Sequence, residues 1–151
     1  MEDAVQIRPI DILLVEDNPG DIDLAKEALG MGKLHNTLYV VQDGVAAMDF
    51  LRKKGKYATV PRPDLIILDL NLPKKDGREV LAEIKEDAGL KRIPVVVLTT
   101  SRAEEDVLKT YNLHANCFVT KPLNMKQFLH VVQSIEEFWL SIVVLPNGVE
   151  K

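Results

Sequence analysis

Acidic and phosphate-seeking residues follow directly on short apolar runs at several points of this chain. Glu16-Asp17 follow Ile12-Leu13-Leu14-Val15, and Asp69 follows Leu65-Ile66-Ile67-Leu68. Thr99-Thr100 follow Val95-Val96-Val97-Leu98, and Lys121-Pro122 follow Phe118-Val119-Thr120. If these runs are neighbouring parallel strands, carboxylates, a hydroxyl and an ammonium converge at one sheet edge. Such a group suits a cation and a phosphoryl group together. A carboxylate at the end of a buried strand is reachable yet rigidly placed, so Asp69 reads as a nucleophile toward phosphorus, forming an acyl phosphate. Phosphoryl transfer needs positioning and charge neutralisation above all. Mg²⁺ fits that need, because it takes a few carboxylates and retains waters. Asp17 and Asp69 would ligate it directly, Glu16 would hold a coordinated water, and Asn71 would add its backbone carbonyl. Lys121 would pair with the carboxylate at rest and with a phosphoryl oxygen afterwards, while the Thr99 hydroxyl would move to the new phosphate.

The elements that must position these residues alternate between strand and helix patterns, the signature of an α/β domain with a parallel sheet. Strands are expected at Ile10–Val15, Leu38–Gln42, Leu65–Leu68, Val95–Thr99 and Cys117–Thr120. Apart from the half-polar second, they are continuous apolar runs, as strands covered on both faces require. Helical spacings of three and four join Ile22, Ala25 and Leu29; Ala46, Ala47, Phe50 and Leu51; Val80, Leu81 and Ile84; and Val107, Leu108 and Tyr111. A last, longer helix starts near Asn124 and carries Phe128, Val131, Val132, Ile135, Phe138 and Trp139. Asp17-Asn18-Pro19 can open the first helix and Asp76-Gly77 the third, with Gly55 and Gly89 expected to stop the second and third. Right-handed crossovers then give a flavodoxin-like, doubly wound sheet of five parallel strands with five helices, in order 2-1-3-4-5. That order sets the first and third strands side by side at the topological switch point, where ligands bind.

Bulk properties agree with this reading. The 151 residues suit one domain, and with 46% hydrophobic and 28% charged residues the chain is of globular type. No apolar stretch approaches the ~20 residues of a membrane helix. A net charge of −4 argues against a nucleic-acid surface. A single cysteine, Cys117, offers neither a disulfide framework nor a thiol metal set, so a cytoplasmic setting is expected.

The stretches Leu14-Val15-Glu16-Asp17, Leu68-Asp69-Leu70-Asn71-Leu72-Pro73, Asp76-Gly77, Leu98-Thr99-Thr100 and Thr120-Lys121-Pro122 resemble the receiver domain of two-component response regulators. The resemblance implies a receiver over residues 8–142, with 1–7 and 143–151 as terminal extensions and no output domain. It implies a phospho-acceptor rather than an enzyme, phosphorylated on Asp69 by a histidine kinase, with Mg²⁺ at Glu16, Asp17, Asp69 and Asn71. It also makes Thr99 the switch hydroxyl, Phe118 the rotating aromatic, and Lys121 the phosphate-sensing lysine ahead of a cis Pro122. Arg62-Pro63-Asp64-Leu65, the run from Leu70 to Leu81 and the run from Arg92 to Ser101 are similar to the small regulators of cyanobacterial phytochromes. That likeness implies a phytochrome light sensor as kinase, an unknown downstream protein, and a homodimer through the fourth helix, fifth strand and fifth helix.

Two rival readings stand beside this one. A phosphohydrolase of the haloacid dehalogenase type also uses an aspartyl nucleophile, but needs a second carboxylate two residues on, where this chain has Asn71. A pseudo-receiver would bind partners without phosphorylation. Elsewhere His35, His114 and His130 show no metal spacing and read as structural or surface residues, and Cys117 as a small buried hydrophobe. Surplus apolar surface around Trp139 and Val143-Val144-Leu145 would suit an isologous dimer.

Overall fold

The apolar runs form five parallel strands, β1 (Ile10–Val15), β2 (Asn36–Val41), β3 (Leu65–Asp69), β4 (Val95–Thr99) and β5 (Cys117–Thr120). The computed structural model describes residues 9–32, 35–110, 113, 115 and 117–143. The sheet order is β2-β1-β3-β4-β5, as expected from the flavodoxin-like reading. Five helices alternate with the strands: α1 (Pro19–Gly30), α2 (Gly44–Leu51), α3 (Gly77–Glu86), α4 (Arg102–Thr110) and α5 (Met125–Val143).

Strand periodicity divides the core into two. Leu13, Val15, Ile66, Leu68, Val95 and Val97 point to the face covered by α2, α3 and α4. Their neighbours Ile12, Leu14, Leu65, Ile67, Val96 and Leu98 point to the face covered by α1 and α5, where Ala25, Phe128 and Val132 meet them. Because alternate side chains of one strand face opposite helical layers, every residue of β3 and β4 is buried. Burying each such aliphatic side chain stabilises the fold by about 1.5–3 kcal/mol before entropy is counted.

Helix starts follow the expected chemistry. Asn18 caps α1 by accepting the Asp21 N–H at 3.0 Å, with Pro19 in the first turn. Asp76 caps α3 in a capping box with Glu79. Asn124 Oδ1 accepts the Gln127 N–H at 2.8 Å, just ahead of α5.

Some expectations need correction. β2 begins two residues earlier than its apolar run, because Asn36 already pairs with Ile10 on the β1 edge. Gly55 does not stop α2: the helix ends at Leu51, and Lys53 takes the left-handed conformation (φ 56°). Gly55 instead opens a short 3₁₀ turn with φ 58°. α3 ends at Glu86, with Asp87 as its cap, and the Gly89 N–H bonds back to the Asp87 side chain at 2.7 Å. On α4, Leu108 is buried but Val107 is exposed, so the apolar face is narrower than its spacing suggested. Tyr111, His114, Val144, Leu145 and the side chains of Phe138, Trp139 and Ile142 lie outside the described residues, as do residues 1–7.

Candidate functional site

Backbone bonds carry the ladder one residue beyond the strand ends and so fix the functional residues. The Glu16 N–H donates to Val41 O at 3.0 Å, Leu70 N–H to Leu98 O at 3.1 Å, and Lys121 N–H to Thr99 O at 2.7 Å. The peptide bond between Lys121 and Pro122 is cis, as the receiver resemblance implied. Gly77 lets the start of α3 pass directly behind the acceptor strand. A Cβ there would run into the Asp69 carbonyl and the Leu70 backbone, and the Gly77 N–H itself donates to Leu70 O at 3.0 Å.

Three polar residues are fully buried among those described: Glu16, Asp69 and Thr99. Sequence reasoning singled out all three. Glu16, the exposed Asp17 and Asp69 form an acidic group whose carboxylate oxygens lie within 4.8 Å of one another. Asn71 enters through its backbone N–H, which donates to Asp69 Oδ1 at 3.0 Å. Lys121 Nζ is 2.9 Å from Asp69 Oδ2, 3.0 Å from Glu16 Oε1 and 3.0 Å from Asp21 Oδ2.

The charges of this group do not balance. Burial, joined by hydrogen bonding and repulsion with Asp69, pushes the Glu16 carboxyl up to about 7 in spite of Lys121. Burial would lower the Lys121 pKa, but its bonds to Asp69, Glu16 and Asp21 outweigh that and hold it above the usual lysine range. Glu16 Oε2 accepts the Asp17 and Asn18 N–H groups, both at 3.1 Å. Glu16 Oε1, in contrast, is buried with no aligned hydrogen-bond donor, because Lys121 approaches close enough to attract it but off the bonding direction. A buried carboxylate oxygen whose facing ammonium is shared with Asp69 and Asp21, inside a surplus of negative charge, fits an oxygen-seeking divalent cation.

Thr99 sits on the other side of Asp69, at the end of β4. Its hydroxyl is 2.6 Å from Glu104 Oε1 and 3.0 Å from Ser101 O, and it accepts the Ser101 N–H at 3.3 Å. Glu104 also accepts the Thr100 N–H and hydroxyl, each at 2.9 Å, and pairs with Arg78 of α3. Phe118 is half-buried on the face of α2, α3 and α4, with Lys109 Nζ 5.6 Å from its ring centre. Cys117 beside it is half-buried, and burial together with the nearby Glu105 charge raises its thiol pKa. His35 and His130 are exposed.

Sequence reasoning missed Asp21, Arg78 and Glu104. Asp21 lies in the first turn of α1, only a few residues beyond the Glu16-Asp17 pair that ends β1, a closeness in sequence that could have brought it to notice. Glu104 follows Ser101 at capping-box spacing, which marks a helix start but not a bond to Thr99. Nothing in the local sequence marks Arg78 as its partner.

The response regulator receiver domain family matches residues 12–133. Response regulator Rcp1 of Synechocystis sp. is 57% identical over 135 residues, covering 89% of this chain and 92% of that protein. The crystal structure of the phosphorylated cyanobacterial phytochrome response regulator RcpA superposes with a TM-score of 0.79 at 56% identity, over 92% of this chain and 99% of that one. The Mn²⁺-bound form of Rcp1 gives 0.77 at 56% identity, over 91% and 99%. A divalent metal is therefore bound in a related structure, and this chain carries an acidic cluster able to hold one. With its parallel 2-1-3-4-5 sheet and a match over most of its length, this chain belongs to the response regulator receiver family, the phospho-acceptors of two-component signalling.

Proposed function

We propose that the receiver, residues 8–142, takes a phosphoryl group on Asp69 from a histidine kinase and signals through a change of surface. One observation carries the assignment. Asp69 is 1% exposed, yet both its oxygens are held, Oδ2 by Lys121 Nζ at 2.9 Å and Oδ1 by the Asn71 N–H at 3.0 Å, beside two further carboxylates. Donors aimed at both oxygens orient the carboxylate for attack without reorganisation. An Asp69 oxygen attacks phosphorus, the bond from phosphorus to the donor nitrogen breaks, and the imidazole leaves. Lys121 keeps its charge throughout and can follow the phosphoryl oxygens as they arrive. Glu16, Asp17, Asp69 and the Asn71 carbonyl would hold Mg²⁺, which supplies charge neutralisation of the transferring group. Thr99 and Phe118 then transmit the event toward α4 and β5.

The likeness to phytochrome regulators supports a phytochrome light sensor as the kinase. The proposed assembly is a homodimer through α4, β5 and α5, with an unknown downstream protein as the reader. Incubation with Mg²⁺ and acetyl phosphate should place one acid-stable, base-labile phosphoryl group on each chain, read by intact mass. Asp69→Asn should abolish it. Labelling of that variant at undiminished stoichiometry would reject the acceptor assignment, and transfer from purified phytochrome kinases tests the donor.

A further inference from the structure

The hydroxyl side of the site holds one carboxylate that the reading above leaves without a task. Glu104 stands in the first turn of α4, three residues after Ser101, and its N–H donates to Ser101 Oγ at 3.3 Å. An ordinary capping box would send the Glu104 carboxylate back to the Ser101 N–H. Here the carboxylate lies one residue upstream, on the Thr100 N–H and on both threonine hydroxyls, and the Ser101 N–H goes to Thr99 Oγ1 instead. The switch hydroxyl has therefore become part of the cap of α4.

We propose that Glu104, anchored by Arg78, is a positioning residue that holds Thr99 in its resting conformation, so that the hydroxyl must leave Glu104 before it can bond a phosphoryl oxygen. The inference rests on the receiver reading of Asp69 and Thr99. A hydroxyl has one hydrogen to give. Of its two acceptors, Glu104 Oε1 at 2.6 Å is shorter and charged while Ser101 O at 3.0 Å is neutral, so the proton goes to Glu104. Arg78 fixes that carboxylate from the opposite side by pairing with Oε2, and is itself steadied by Asp76 at 2.9 Å. The Glu104 side chain is only 17% exposed, which favours retaining these partners over trading them for water. Movement of Thr99 thus takes a donor from Glu104 and an acceptor from the Ser101 N–H in one step. The first turn of α4 loses two contacts at the moment the phosphoryl group gains one. A local rearrangement at β4 is thereby passed to a helix surface.

Beryllofluoride with Mg²⁺, a stable tetrahedral stand-in for the phosphoryl group, tests this as a binding equilibrium. If Glu104 biases Thr99 toward rest, weakening its acceptor raises the fraction of competent conformer and tightens apparent affinity by the same factor. Glu104→Gln keeps the cap geometry but replaces a charged acceptor with a neutral one, and should tighten beryllofluoride binding roughly tenfold. In a Thr99→Val background the same change should have no effect, because no hydroxyl remains to release. A purely structural cap would lower stability alike in both backgrounds and leave affinity unmoved. Unaltered affinity in Glu104→Gln, or equal tightening with and without Thr99, overturns the proposal. Should Glu104→Gln fail to fold, Glu104→Asp keeps the first-turn charge while shortening the reach, and must tighten binding in the same direction for the proposal to stand. Wild type that binds no beryllofluoride would sink the receiver reading and this inference with it, whereas wild-type binding unchanged by Glu104→Gln removes the inference alone.

Discussion

The carboxylate side of the site and its hydroxyl side are held in opposite ways. Around Lys121 gather Glu16, Asp21 and Asp69, with Asp17 adding a further negative charge to the cluster. One ammonium faces a surplus of acid, all of it positioned by strand ends or the first turn of α1. At Thr99 the Glu104 carboxylate faces three donors from two threonines and the Arg78 guanidinium, which it shares with the more exposed Asp76, so nearly every acceptor is used. The first region is rigid and electrostatically incomplete. The second is complete but depends on a hydroxyl rotor and on side chains of two helix starts. A region short of positive charge is suited to taking up a cation; one whose bonds are all made in a single arrangement is suited to changing arrangement.

The sharpest way to break that contrast is to remove the ammonium. Lys121→Met leaves buried carboxylates with no counter-charge, and breaking a buried pair from one side costs about 4 kcal/mol. Urea unfolding at pH 8 with a chelator present should show that loss, and Mg²⁺ should restore part of it by supplying positive charge to the same group. If the variant unfolds at the wild-type urea concentration, the carboxylate side is not strained by its charge and the comparison fails.

The two sides should also respond to pH with opposite signs. The folded chain keeps Glu16 protonated up to about 7, against an ordinary 4.5 when unfolded. Between those values the folded state binds the extra proton, so stability falls as pH rises, by about 3 kcal/mol across the window. At Glu104, burial works to raise the pKa, but the bonds from Thr99 and Thr100 and the Arg78 charge leave it below its ordinary value. Its contribution is present above the unfolded glutamate pKa and disappears as pH drops through the folded one. Chelated protein should therefore lose stability from pH 4.5 to 7. Glu16→Gln should abolish that fall, and saturating Mg²⁺ should flatten it, because cation and proton compete for one carboxylate. A wild-type profile flat over that range would remove the charge surplus as the distinguishing property.

The same contrast explains what could be read from the sequence. β3 and β4 are apolar runs that close on a polar residue, while the run Ile12–Val15 of β1 leads into Glu16 and β5 leads into Lys121, so strand and functional residue follow from one pattern. Glu16, Asp69, Thr99 and Lys121 are visible for that reason. Asp21, Arg78 and Glu104 are not, because their placement depends on helix rotation and side-chain reach across sequence-distant elements. The Ser101–Glu104 spacing announces a cap, but only the fold reveals that the carboxylate has shifted onto Thr99. Glycine misled at α2 because a lysine, Lys53, took the left-handed position two residues earlier. On α4, spacing alone could not tell that Val107 would face water while Leu108 filled the core.

The smallest effect lies where the two sides share a support. Asp76 caps α3, whose start passes behind Asp69 at Gly77, and it also steadies Arg78 at 2.9 Å on the hydroxyl side. Its ion pair with Arg78 is more than a third exposed on each partner, so solvent screens it and its contribution is small. The cap is worth more: loss of an aspartate N-cap costs about 1 kcal/mol. Asp76→Ala should therefore lower the urea midpoint slightly while Mg²⁺ affinity, followed by titration calorimetry, stays within twofold of wild type. That outcome would show that the acidic group takes its geometry from the β1 and β3 strand ends and not from the helix behind them. A tenfold loss of Mg²⁺ affinity at unchanged stability would mean the reverse, with the start of α3 transmitting position to Asp69 through the Gly77–Leu70 bond, and the two regions would then have to be treated as one.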